Sequence, residues 1–113
     1  MNYKQIKYYV LNNGKSPFLQ WKQTLDKKNQ VKIDNRIVQL ISGNYSNCSV
    51  LKNTDGVKES KLRTSSGIRL YFGEDDTSLI LLLIGGDKDT QEKDIKKAKE
   101  YWNDYKKGDK YNG

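Results

Sequence analysis

The sequence has no histidine and a single cysteine, Cys48. The side chain that most often carries protons near neutral pH is therefore missing, and no internal disulfide can form. Zinc would lack the thiolate and imidazole ligands it normally takes, so neither a metal nor any other cofactor is expected. One thiol and no disulfide framework fit a reducing cytoplasm. Long apolar runs are missing too: the longest, residues 79–84, is six residues, where a membrane-spanning helix needs about 20. Residues 1–11 carry Lys4 and Lys7 among their aromatic residues and hold no uninterrupted apolar stretch of signal-peptide length. No membrane association is expected.

Positive charge is abundant. The 113 residues include 21 Lys and Arg against 14 Asp and Glu, a formal net charge of +7. A surplus of this size favours an anionic partner, whether nucleic acid, an anionic membrane or an acidic protein, unless it serves only to keep a small protein soluble. A chain of this length buries about 60 to 70% of its unfolded surface, enough for one core. One domain over 1–113 is expected, with 106–113 a flexible tail.

The periodicities predict an α+β domain in the order strand, helix, helix, three strands, helix, with a small, mostly antiparallel sheet packed against the helices. Residues 3–10 alternate as a strand, placing Ile6, Tyr8 and Val10 on one face. Ser16 and Pro17 form a helix start, followed by Phe18, Trp21 and Leu25. The pattern restarts near Asp26, and Ile33, Ile37, Leu40 and Ile41 form a second stripe that Gly43 and Asn44 close. Residues 45–56 read as an irregular connection with Cys48 as filler. Strands are expected over 57–63, 68–72 and 77–84, with Thr64 to Gly67 and then Gly73 to Asp76 as turns. Gly85 and Gly86 end the last strand; their spacing does not match a phosphate-binding loop. Asp89 and Glu92 resemble a capping box that opens a helix buried through Ile95, Ala98, Trp102 and Tyr105.

The chemistry concentrates in the middle hairpin. Ile68, Leu70 and Phe72 alternate with Arg69 and Tyr71, and the preceding strand carries Glu59, Lys61 and Arg63 at period two. If the polar faces coincide, a concave surface presents Lys61, Arg63, Arg69 and Tyr71 with Glu59 close by. Such cations can hold phosphate oxygens, Tyr71 can stack on a base or pass a proton, and Glu59 or a lysine can take the proton of a ribose 2′-hydroxyl. The bland alternative is that Glu59 pairs with Arg69 or Lys61 across the strands on an ordinary solvated face. Without histidine, a strong free-standing ribonuclease is not expected, and any cutting would depend on a large partner that positions the RNA.

The stretches Gly56-Val57-Lys58-Glu59, Gly67-Ile68-Arg69-Leu70-Tyr71-Phe72 and Leu81-Leu82-Leu83-Ile84-Gly85-Gly86-Asp87-Lys88, followed by Gln91, Asp94, Ile95 and Ala98, resemble the phage-derived, HigB-like addiction-module killer branch of the RelE/ParE toxin superfamily. Gly14 to Phe18, Trp21, Arg36, Leu40 and Gly43-Asn44 extend the likeness. The resemblance implies a compact toxin neutralised by a cognate antitoxin, often a helix-turn-helix protein, through which alone it would meet operator DNA. It also implies an mRNA endoribonuclease acting in the ribosomal A site; some relatives instead inhibit DNA gyrase, and a detoxified module that only binds its antitoxin is a third reading. By position, the family's basic and aromatic hairpin residues fall on Lys61, Arg69 and Tyr71, with Lys88 and Gln91 after the last strand. The candidate catalytic set is Lys61, Arg69, Tyr71 and Glu59, with Lys58, Arg63, Lys88 and Gln91 on the RNA, Arg63 from its spacing alone. The sequence departs from the pattern at Ser60, Ser65-Ser66 and Ile68, where the family commonly has an apolar residue, a Gly-Pro or similar pair and an aromatic residue.

Overall fold

The structure, a computed structural model, describes residues 3–76 and 78–112. It contains β1 (Gln5–Tyr8), α1 (Pro17–Gln23), α2 (Lys27–Ile41), β2 (Cys48–Val50), β3 (Lys58–Lys61), β4 (Arg69–Asp75), β5 (Leu79–Gly86) and α3 (Gln91–Asn112). The strands form one sheet in the order β1-β5-β4-β3-β2, parallel between β1 and β5 and antiparallel elsewhere. The expected α+β class and order hold, with one strand added.

Local chemistry accounts for the helix boundaries. Ser16 Oγ accepts from Leu19 N at 3.1 Å ahead of Pro17, and Asp26 Oδ1 accepts from Asn29 N at 3.0 Å at the start of α2. Gly43, at φ +86°, and Asn44 close α2 by returning their amides to Leu40 O and Gln39 O. On the sheet face toward α1 and α2, Phe18, Ile33, Ile37 and Leu40 bury against Ile68, Leu70, Phe72, Ile80 and Leu82. On the opposite face Val57, Tyr71, Leu81 and Leu83 meet Ala98 and Trp102 of α3. β5 is thus covered on both sides, which explains its unbroken apolar run.

Several boundaries differ from expectation. The connection over 45–56 contains β2, whose Cys48 pairs with Ser60 and Val50 with Lys58. A three-residue edge strand is too short to leave a periodic signal. β1 is shorter than 3–10, leaving Val10 exposed, and β3 covers only Lys58–Lys61 of 57–63. Gly73, expected to open a turn, lies inside β4, and Gly85 and Gly86 are the last two residues of β5 itself. They are glycines because helical side chains press onto the strands there. A Cβ would stand 2.4 Å from Trp102 Cε3 at Gly73, 2.1 Å from Trp21 Cζ3 at Gly85 and 1.7 Å from Asp94 Oδ2 at Gly86.

The turn between β4 and β5 includes Asp76, at φ +61°, while Thr77, expected to start the last strand, lies outside the described residues. The entry to α3 also shifts. Asp87 Oδ1, not Asp89, accepts from Asp89 N and Thr90 N at 2.9 and 3.1 Å, and Thr90 Oγ1 donates to Asp94 Oδ2 at 2.5 Å. The segment 106–113, expected as a tail, continues α3 to Asn112; Gly113 lies outside the described residues. Lys106 pairs with Asp55 and lies over the Trp102 ring. Among the described residues, no helix is long and apolar enough to cross a membrane.

Candidate functional site

The β3–β4 register sets Glu59 opposite Tyr71 and Lys61 opposite Arg69. Strand alternation therefore turns all four toward the α3 side, as the spacing predicts. α3, however, covers much of that face.

Tyr71 is fully buried, which corrects the expected exposed concave surface: its ring offers no face to a base in this arrangement. Burial first, then the charges of Glu59 and Asp94, push its phenol well above the usual tyrosine range, so it stays protonated and neutral. Its hydroxyl makes no hydrogen bond of ordinary geometry.

Glu59 is also buried, with 4% of its surface exposed. Its Oε2 stands 3.6 Å from Arg69 Nε and accepts from Gln91 Nε2 at 3.0 Å, so the cross-strand pairing with Arg69 is present. Arg69 Nη1 also donates to Gly67 O at 3.1 Å. The Arg69 side chain is thereby fixed by a carboxylate behind it and a carbonyl beside it. Its own burial makes that pairing matter, because an unpaired guanidinium there would be costly.

Lys88 joins this group through the hairpin turn. Its amide donates to Ser66 O at 3.2 Å, and its side chain packs over Gly67, whose φ of +71° favours glycine. Lys61 is exposed at the end of β3. Lys61, Arg69, Lys88 and Gln91 thus gather around a buried Glu59 where the hairpin meets the first turn of α3. This end of the sheet can grip a phosphate with several cations, one of them pre-positioned.

Two predicted residues fall elsewhere. Lys58 points to the opposite sheet face, pairs with Glu74 at 2.8 Å and lies over the Tyr45 ring. Exposed Arg63, beyond the end of β3, lines a cleft against α2 with Lys32, Asn35, Arg36, Gln39 and Leu62. Period-two reasoning fails for Arg63 because the strand ends at Lys61.

Sequence reasoning assigned no role to Thr90, Asp94 or Ser60. Asp94 is buried against Gly86, and burial outweighs the Thr90 hydrogen bond to raise its pKa. Ser60, also buried, accepts from Arg36 Nη1 at 2.7 Å; a hydroxyl at this strand position gives no periodic signal. Ile68, where the resemblance implies an aromatic residue, packs in the α1/α2 core.

No family model matches the chain. It is 40% identical over 70 residues to an uncharacterized protein of Haemophilus influenzae, a span covering 62% of this chain and 69% of that protein. In structure it is similar to the Escherichia coli toxin RelE, solved as a mutant in the free state, with a TM-score of 0.56, 19% identity, and coverage of 81% of this chain and 90% of that one. The second likeness is one of fold.

Proposed function

We propose that this chain, which belongs to one family with the Haemophilus influenzae protein and has the RelE fold, is the toxin of a type II toxin–antitoxin pair, of the HigB-like branch, and cuts mRNA on the ribosome. The observation that carries this reading is the cationic group of Lys61, Arg69 and Lys88 around the buried Glu59, on a fold shared with a toxin.

In the cut, a ribose 2′-hydroxyl attacks the adjacent phosphorus and the 5′-oxygen of the next nucleotide leaves. Negative charge gathers on the phosphoryl oxygens, where Arg69, held in place by Glu59, and the two lysines oppose it. Glu59 is a positioning residue, because its carboxylate is committed to Arg69 and Gln91. Tyr71, closed off beneath α3, walls the site. A ribosomal group takes the 2′ proton and an exposed lysine ammonium or water gives one to the leaving 5′-oxygen, which agrees with dependence on the ribosome. A cognate antitoxin, expected to be a helix-turn-helix protein, neutralises the toxin in the cytoplasm and carries it to operator DNA.

The test is cleavage of one message by the purified chain, free and on programmed ribosomes. Cutting is expected only with ribosomes, falling about 100-fold or more in Arg69→Ala. Equal cutting of free RNA, or full activity in Arg69→Ala, contradicts the reading.

A further inference from the structure

Beyond the end of β3, on the side away from the Arg69 group, the cleft between α2 and the hairpin is lined by Lys32, Asn35, Arg36, Gln39, Leu62 and Arg63. Three of its six lining residues are cations and none is an acid. Among the described residues, no carboxylate lies within salt-bridge reach of Lys32, Arg36 or Arg63, whereas Lys22, Lys58, Arg69 and Lys106 each have one.

Arg36 is nevertheless held firmly. Its Nη1 donates to Ser60 Oγ at 2.7 Å and to Lys61 O at 2.8 Å, and its Nε to Gln39 Oε1 at 3.0 Å. All three acceptors are neutral, so the guanidinium is fixed in direction with its charge uncompensated. Among the described residues, no hydrogen bond engages its Nη2. Setting a fixed cation beside two more adds self-repulsion that a bound anion would remove, and the planar fork suits a phosphate.

The position of the cleft selects the anion. Lys61 gives its carbonyl to Arg36 and turns its side chain toward the Arg69 side, so the two cationic groups meet at one residue. A strand crossing the end of β3 passes from Lys88 and Arg69, over Lys61, to Arg63, Arg36 and Lys32. A row of cations with Leu62 as the cleft's one apolar lining residue fits a phosphodiester backbone better than a folded protein partner, which would require apolar anchors.

We infer that this cleft is a second phosphate-binding subsite, holding RNA backbone adjacent to the point of cutting. The inference rests on the ribosomal reading above. The phosphates belong either to the message or to ribosomal RNA.

The test measures binding of the full chain to ribosomes, with and without message, over a range of salt. It uses wild type, the pair Lys32→Gln with Arg63→Gln, and Ser60→Ala, which loosens Arg36. The double variant should bind about tenfold more weakly, with a salt slope lower by about 1.4 if each cation meets one single-strand phosphate. Its cutting rate at saturating ribosomes should stay within about twofold of wild type, because the Arg69 group is intact. Ser60→Ala should weaken binding in the same direction by less. A loss seen only with message assigns the subsite to the message; a loss in both arms assigns it to ribosomal RNA. Unchanged affinity and slope in the double variant overturn the inference while leaving the cutting reading intact, and competition by polyglutamate would then give the cleft to an acidic protein segment. A wild-type chain that does not bind ribosomes overturns both.

Discussion

The two faces of the sheet are built differently. The face under α1 and α2 is mostly apolar: Trp21 lies on Gly85 and Phe18 fills the space beside it, and its polar groups, Ser60 with Arg36 and the Lys58–Glu74 pair, are matched to partners. The face under α3 is divided along its length. Trp102 lies on Gly73 and Ala98 packs nearby, whereas near the first turn of α3 the same face buries Glu59, Asp94 and the Tyr71 hydroxyl. A face that only holds the fold together has no need of buried acids, which are costly to place. The polar end of the α3 face is the place where the fold accepts that cost, and it is also where Arg69 is fixed.

Substitutions on the two faces should separate these roles. The largest effects are expected in the apolar parts: Phe18→Ala under α1 and Trp102→Ala under α3 should each cost about 3–5 kcal/mol in urea unfolding. A Trp102 variant as stable as wild type would show that α3 is not an integral layer. Next, Glu59→Ala should cost about 3 kcal/mol by leaving Arg69 buried without its carboxylate, and should slow cutting at temperatures where the variant is folded. A loss of stability with full cutting would remove Glu59 from the site. Ser16→Ala should cost only about 1 kcal/mol, through the lost cap of α1.

The smallest effect is a difference in pH dependence. For Glu74, burial acts to raise the pKa, but the hydrogen bonds from Lys58 and Tyr45 and the charges of Lys58 and Lys4 bring it below the ordinary value. A lowered folded pKa contributes stability above the unfolded value and loses it as pH falls through the folded value. Asp94, raised by burial, behaves oppositely: its favourable contribution belongs to acid pH and is lost as pH rises through its folded value. Glu74→Gln should therefore be more destabilising at pH 7 than at pH 3, and Asp94→Asn less so, by about 1 kcal/mol or less in each case. Urea midpoints at the two pH values check both signs, and parallel shifts would remove the distinction.

How much of this was legible in the sequence follows from the kind of signal each feature leaves. The helices and their starts at Ser16-Pro17 and Asp26 were readable, because apolar spacing and capping are local. The inner strands were readable from period two and from the apolar run 79–84. β2 was not, since three residues at a sheet edge are too few to show a period. Gly73 was read as part of a turn, and Gly85 and Gly86 as lying past their strand, because a glycine that makes room for a tryptophan or a carboxylate looks the same in sequence as one that bends or ends a strand. In the site, alternation put Glu59, Lys61, Arg69 and Tyr71 on one side of the sheet. It gave no indication that α3 would close over Tyr71 and Glu59, because that depends on a contact between elements far apart in the chain. Arg63 and Lys58 were misplaced for simpler reasons: one lies past the end of its strand, the other on the opposite face.

The most direct test of the central claim is brief induction of the chain in cells, with RNA 5′ ends mapped on ribosome-bound messages beside Lys61→Ala and Arg69→Ala controls. New ends within translated frames, strongly reduced in both controls, are the predicted result. Growth arrest without new ends, abolished in cells carrying a resistant gyrase, would contradict it and make this chain an inhibitor of gyrase.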